Sequence, residues 1–263
     1  MPELPEVEHA ARQLRQAAVG RTIARVQALH PSLARSLTPA ACRRLVGRQI
    51  TEVTRRAKMQ LVTLDDGHVL EVHFRMTGDW AFGRDGDPPP PQERARFTLT
   101  DGTRISLTDA RALGVLRLHP PGALQLPVLG PEPLDDGFTV DALREALASR
   151  RAPIKPTMLD QRVVAGLGNI YAVEALWVAR VHPTRVAASL SRARVAALRD
   201  AIREVLNAAT VGRYYARDGA DRADESAWRV YGREGEACSR CARPIRRITQ
   251  SGRSTYYCGA CQR

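Results

Sequence analysis

Four of the five cysteines in this 263-residue chain fall within its last 26 residues, at Cys238, Cys241, Cys258 and Cys261. The spacing C-x2-C-x16-C-x2-C lies in the window for a tetrahedral zinc site, where each C-x2-C turn offers two thiolates to one ion. The 16 residues between the pairs are long enough for a hairpin. Two disulfides or plain reduced thiols are the competing readings. The N-terminus, MPELPEVE, is acidic and lacks a basic-then-apolar secretion signal, which favours zinc. Four thiolates leave no position for water, so the expected cofactor is one structural Zn2+. Cys42, alone in an apolar helical stretch, is ordinary filler.

The same tail is basic. Residues 228–263 hold eight Arg and two Glu, a net +6, which is half of the +12 excess of 40 basic over 28 acidic side chains. Arg240, Arg243, Arg246, Arg247 and Arg253 are expected to line a zinc-clamped hairpin suited to gripping a phosphate backbone. A polyanionic partner, most simply nucleic acid, follows from the charge. No stretch approaches the roughly 20 apolar residues of a membrane span, and 44% apolar content excludes wholesale disorder. The basic residues divide into 38 Arg and 2 Lys. Base composition accounts for most of that split, but Lys should persist where a compact amine able to lose its proton is needed. Lys58 and Lys155 are therefore candidates.

The pattern along the chain predicts an α+β protein. Residues 5–18 read as a helix with Val7, Ala11, Leu14 and Ala18 on its core face. From 22 to 118 short strands follow, with Asp66-Gly67 and Asp101-Gly102 marking hairpins of an antiparallel sandwich or barrel. The proline run 88–91 reads as a surface loop, and 119–137, rich in Pro and Gly, as a linker. Helices are expected over 138–147 (starting at Thr139 or Asp141), 157–164, 169–178 and 191–209, the last with Gly212 as a stop. Residues 213–227 read as a mobile loop. The expected domains are 1–118, 138–227 and 228–263.

In order along the chain stand MPELPEVE, RRAKM at 55–59, HFRMTG at 73–78, LGPEPL at 129–134, IKPTMLDQ at 154–161, GLGNIYAVEAL at 166–176, VYGREGEAC at 230–238 and the four-Cys tail. Together they resemble the formamidopyrimidine-DNA glycosylase and endonuclease VIII family of base-excision repair enzymes, from Pro2 to the C-terminus. The resemblance implies an N-terminal helix and antiparallel β-sandwich, a helix–two-turn–helix domain and a C-terminal zinc-finger hairpin, with damaged double-stranded DNA bound in the cleft between them.

It also implies roles. Pro2, exposed by removal of Met1, is the nucleophile that attacks deoxyribose C1′ and leaves an iminium. An α-amine near pKa ~7.8 is about one-seventh unprotonated at neutrality, against roughly 0.04% for a lysine near ~10.4. Glu3 protonates the opening sugar, although the helix dipole favours its ionised form. Lys58 meets the target phosphate and assists the leaving base, and Glu6 supports the site. His73, Lys155, Asn169 and Arg253 bind phosphates, with Arg253 also counted in the catalytic set. Glu174 is a buried supporting residue. Base extrusion leaves a gap, which Met76 and Leu113 fill while Arg111 pairs with the orphaned base.

Three departures bear on the lesion. Leu113 stands where the family usually has Phe, Arg75 replaces the usual Gly, and Gly212-Arg213-Tyr214-Tyr215 replaces a Gly-Gly-Thr/Ser turn. The expected activity is bifunctional: glycosylase on 8-oxoguanine and formamidopyrimidines with β,δ-elimination. The alternatives are an endonuclease VIII-like preference for oxidised pyrimidines, favoured less by ELPEVE, or a non-catalytic damage-binding protein. The chain is expected to work as a monomer, without membrane or small-molecule cofactor, in the cytoplasm near the nucleoid.

Overall fold

The computed structural model describes residues 1–33, 35–211 and 228–263. The chain divides into two compact units, Met1–Pro127 and Val128–Arg263. In the first, helix α1 (Leu4–Ala18) starts with Pro5 in its first turn and buries Val7, Ala10, Ala11, Leu14 and Ala18 along one stripe. A second short helix, α2 (Pro39–Leu45), is capped by the Thr38 hydroxyl accepting from Ala41 N at 3.2 Å.

Eight strands complete this unit: β1 (Ile23–Ala28), β2 (Ile50–Arg56), β3 (Met59–Leu64), β4 (Val69–His73), β5 (Gly78–Arg84), β6 (Glu93–Leu99), β7 (Thr103–Asp109) and β8 (Val115–His119). They form two antiparallel sheets, ordered β1-β6-β7-β5 and β2-β3-β4-β8. Two separate sheets make this a sandwich rather than a closed barrel. Inward residues of both sheets and of α1 share one apolar core, with Trp80 edge-on to Phe74 and Phe97 at 5.8 and 6.3 Å. Trp80 donates its indole N–H to Gln60 Oε1 at 2.9 Å, which satisfies two polar groups inside that core. Both Asp-Gly pairs turn hairpins, and the proline run lies outside helix and strand, pinned by Arg104 donating to the carbonyls of Asp87 and Pro88.

The second unit is helical, then ends in a hairpin. Its helices are α3 (Val140–Ala148), α4 (Ile154–Met158), α5 (Asn169–Val178) and α6 (Arg192–Val211); its strands are β9 (Arg246–Gln250) and β10 (Arg253–Tyr257). Thr139 is the N-cap of α3, accepting from Ala142 N at 3.1 Å. The helix expected over 157–164 is instead α4, which begins and ends earlier. Pro153 and Pro156 suit a helix start, and Asp160 stops it. The Asp160 carboxylate accepts from Arg162 N at 3.0 Å while its carbonyl accepts from Val163 N at 2.8 Å, a turn that competes with further helix. Tyr171 to Trp177 of α5 are buried without interruption, so this helix is the unit's centre rather than an amphipathic cover. Gly212 and the 213–227 segment lie outside the described residues. No helix among the described residues is long and apolar enough to cross a membrane.

Candidate active site and nucleic-acid interface

In the first unit the chain start is fixed at the N-terminus of α1. Glu3 is the N-cap, 2% exposed, and forms a reciprocal capping box with Glu6, whose carboxylate accepts from Glu3 N. That bond holds the extended Pro2-Glu3 segment. Pro2 itself is half-buried beneath an exposed Met1. While Met1 is attached the Pro2 nitrogen is a tertiary amide with no nucleophilic lone pair, so any amine chemistry requires its removal.

Lys58 sits in the two-residue turn joining β2 to β3, where Arg56 pairs with Met59. A tie runs from α1 to this turn: Arg55 Nε donates to Glu8 Oε2 at 3.0 Å and Arg55 Nη1 to the Ala57 carbonyl at 3.0 Å. His73 ends β4 directly opposite Met59, next to Lys58. Burial, followed by the positive charges of Arg75 and Lys58, pulls the His73 pKa down to about 4 against the opposing pull of Glu71. Its Nδ1 accepts from Arg75 N at 3.0 Å, so the neutral ring carries its proton on Nε2 as a donor.

Met76 and Leu113, both exposed, and Arg111 lie on two neighbouring loops, residues 74–77 and 110–114. The loops leave the same sheet end, because Gly78, opening β5, pairs with Asp109, closing β7. Asp109, 1% exposed, accepts from atoms of both loops. Burial would raise its pKa, but the Thr77 hydroxyl and the backbone N–H groups of Gly114, Leu113 and Arg111 hold it below the ordinary carboxylate value.

Strain concentrates at these positions. Among the described residues seven non-glycine residues have positive φ, including Ala57 (52°) before Lys58, Arg75 (58°) before Met76, Ala112 (52°) between Arg111 and Leu113, and Ser251 (49°) just ahead of Arg253. Such conformations cost of order 1 kcal/mol each and gather at functional loops.

In the second unit the four cysteine Sγ atoms lie within 4.8 Å of one another, with Cys241–Cys258 at 3.5 Å and Cys238–Cys261 at 4.0 Å. Zn–S bonds of about 2.3 Å at tetrahedral angles place sulfurs about 3.8 Å apart, whereas a disulfide needs about 2.05 Å. The donor set therefore fits one structural Zn2+ and excludes the disulfide reading. Between the two Cys pairs, β9 and β10 are joined by Ser251-Gly252, both at positive φ as a tight hairpin turn requires. Arg253, exposed, opens β10. The next carbonyl, Ser254 O, accepts from Asn169 Nδ2 at 3.0 Å, which joins the hairpin tip to the N-terminus of α5. Asn169 and Arg253 thus share one corner, where helix N–H groups and a guanidinium suit an anion.

Glu174, 2% exposed, accepts from the backbone N–H groups of Arg229, Val230 and Tyr231 at 2.9–3.0 Å and so clamps the start of the zinc module onto α5. Lys155, on α4, is fully enclosed at 0% exposure. Arg240 departs from the expected phosphate-gripping row. It lies 3.6 Å over the Trp177 ring and donates to the Trp177 and Val178 carbonyls, so it docks the zinc knuckle on α5. Sequence reasoning missed Asp109, Arg55 with Glu8, and Gln161, which accepts from Gly166 N and donates to Leu167 O in the turn before Asn169. Their signal is faint: a single polar residue a few positions from a candidate.

The chain thus combines a helix-led sandwich, with Pro2 second in sequence, and a helical module that ends in a four-cysteine hairpin. Family models match in the same order: the formamidopyrimidine-DNA glycosylase N-terminal domain over residues 1–116, its H2TH domain over 129–216, and the zinc finger found in FPG and IleRS over 235–263. A formamidopyrimidine-DNA glycosylase of Paracoccus denitrificans is 42% identical over 280 residues, covering all of both chains. Among solved structures, a mutant of Lactococcus lactis FPG bound to Fapy-dG-containing DNA matches with TM-score 0.90 and 32% identity, covering 99% of each chain. MutM in complex with carbocyclic 8-oxo-G-containing DNA matches with TM-score 0.91 and 33% identity, also covering 99% of each. The chain belongs to the formamidopyrimidine-DNA glycosylase family.

Proposed function

We propose that this protein is a bifunctional DNA glycosylase and abasic-site lyase that removes 8-oxoguanine and formamidopyrimidines from double-stranded DNA. Its relatives are named formamidopyrimidine-DNA glycosylase, and two similar structures hold DNA containing Fapy-dG or carbocyclic 8-oxo-G. The observation that carries the reading is the clamped chain start, where Glu6 fixes the backbone of Glu3 and hence Pro2, beside a buried acid.

After Met1 removal the Pro2 amine attacks C1′, and the C1′–base bond breaks with its electron pair leaving on the base. Lys58 offers that base a proton. Glu3 protonates the ring oxygen as the sugar opens to an iminium, which acidifies C2′ and permits β- and then δ-elimination. Neutral His73 donates to a phosphate through Nε2, and Asn169 and Arg253 hold others, whereas Lys155, fully enclosed on α4, is out of a phosphate's reach. Met76 and Leu113 fill the vacated stack. Arg111 presents only donors, so it matches the acceptor pair on cytosine and opposes the amino group of adenine. One chain supplies every group, so a monomer working on nucleoid DNA suffices. Zn2+ carries no chemical step; it shapes the hairpin that presents Arg253.

Borohydride should trap Met1-processed protein on abasic DNA, with the trap reduced in Pro2→Gly. A processed protein that traps nothing removes the lyase and leaves a damage-binding module. Leu113 and Arg75 depart from the family's usual pattern and favour testing oxidised pyrimidines as the second reading. Thymine glycol cleaved as well as 8-oxoguanine would overturn the purine preference.

A further inference from the structure

The Asp109 carboxylate ties two neighbouring loops together through four hydrogen bonds. Its Oδ1 accepts from the Thr77 hydroxyl and from Arg111 N at 3.1 Å; its Oδ2 accepts from Leu113 N and Gly114 N, both at 2.7 Å. Thr77 Oγ1 in turn accepts from Arg111 N at 3.0 Å. One buried carboxylate thereby joins the loop carrying Met76 to the loop carrying Arg111 and Leu113. Close approach is built in at Gly114, where a Cβ would stand 3.3 Å from Asp109 Oδ2. From outside the loops, Arg94 Nε donates to the Asp109 carbonyl at 2.7 Å and steadies the strand end. Among the described residues no arginine or lysine side chain donates to the carboxylate, so its charge is balanced by loop donors.

We propose that Asp109 is a specificity-determining positioning residue, which makes Met76, Arg111 and Leu113 enter the duplex as one rigid wedge. The inference rests on the reading of those three residues as void-fillers and extends it to what holds them. Arg111 can compare cytosine with adenine only if its backbone is fixed, and Asp109 holds that backbone N–H together with Thr77. Leu113 lacks the stacking surface of an aromatic ring, so its placement depends more on the loop than on the base stack. Asparagine at 109 has the same shape, but it presents one acceptor oxygen and an NH2 that opposes the N–H groups it would face.

The test uses Asp109→Asn and Thr77→Val in the full-length, Met1-processed protein. Substrates are duplexes with 8-oxoguanine opposite cytosine or adenine, each with 2-aminopurine beside the orphaned base, and a single-stranded abasic oligonucleotide that needs no wedge. Asp109→Asn is expected to trap the single-stranded abasic site within about twofold of the parent, and to excise from the cytosine duplex about tenfold more slowly. Its cytosine-over-adenine ratio should fall about fivefold, and the 2-aminopurine signal of wedge insertion should shrink. Thr77→Val, which leaves the carboxylate in place, should show the same pattern more weakly, and it carries the test alone if Asp109→Asn does not fold. An unchanged ratio and fluorescence overturn the proposal, as does an equal fall on single-stranded and duplex substrates. A parent that traps nothing overturns the underlying site reading, and the proposal falls with it.

Discussion

Arg75 shows how much one residue can reveal. Its φ of 58° lies where an L side chain costs about 1–2 kcal/mol and glycine little. A glycine would take this conformation without strain. Arg75→Gly should stabilise the first unit by about 0.5–1 kcal/mol in urea unfolding, the relieved strain being offset in part by glycine's extra freedom in the unfolded chain. A less stable variant would mean that the arginine side chain itself holds the loop. His73 gives a pH-dependent prediction. Its folded pKa of about 4 is below the ordinary 6.5, so the unfolded chain takes up the proton first. The stability it contributes is complete above pH 6.5 and lost as pH falls towards 4. His73→Gln keeps a neutral donor without titrating. Between pH 7 and 4.5 it should lose about 2 kcal/mol less stability than the parent, read from denaturant midpoints at both values. At this scale the two lysines stand out in the sequence by rarity alone, and in the structure both are buried, whereas among the described arginines only Arg104 is.

At the scale of elements, Glu174 tests how the zinc module is held. Its carboxylate receives three backbone N–H groups from residues 229–231, and an apolar cluster of Val173, Trp177, Val230, Cys238, Ile245 and Cys258 packs beside it. Glu174→Gln should cost about 1–3 kcal/mol, because an amide facing those donors leaves buried N–H groups unmade. The measurement is thermal unfolding of the zinc-loaded protein, and an unchanged midpoint would show the clamp to be redundant with the apolar contact. Elements whose cause is local were legible: α1 from its stripe and proline, the hairpins from Asp-Gly, the metal site from its spacing. The early stop of α4 was not, because it depends on Asp160 preferring turn partners over helix continuation. Nor was the network of Asp109, whose donors come from residues 77 and 111–114, and the first of these is 32 positions away. The docking role of Arg240 was equally hidden, since an arginine in a basic tail looks the same whether it faces DNA or a tryptophan ring.

For the molecule as a whole the question is what the +12 charge does, and with half of it on residues 228–263 the zinc module is the place to ask. Two devices act there, and they share the zinc knuckle. Glu174 and Arg240 hold the module to α5, while the four cysteines shape the hairpin whose tip presents Arg253 and meets Asn169. Removing zinc loosens both the hairpin and the Cys238–Cys241 turn that carries Arg240, so docking is left to Glu174 while the tip loses form. DNA affinity, followed by fluorescence anisotropy across a salt series, separates the outcomes. In the zinc-loaded protein log K should fall steeply and linearly with log salt, by about 0.9 for each phosphate neutralised. Arg253→Ala should flatten that slope by about one and weaken binding about tenfold at low salt. Chelation should flatten it at least as much, and zinc restored to the stripped protein should return the slope. If chelation leaves both affinity and slope unchanged while Arg253→Ala alters them, the arginine grips DNA without needing the metal-shaped turn. If neither changes them, the excess charge is a solvated surface and the phosphate grip lies elsewhere.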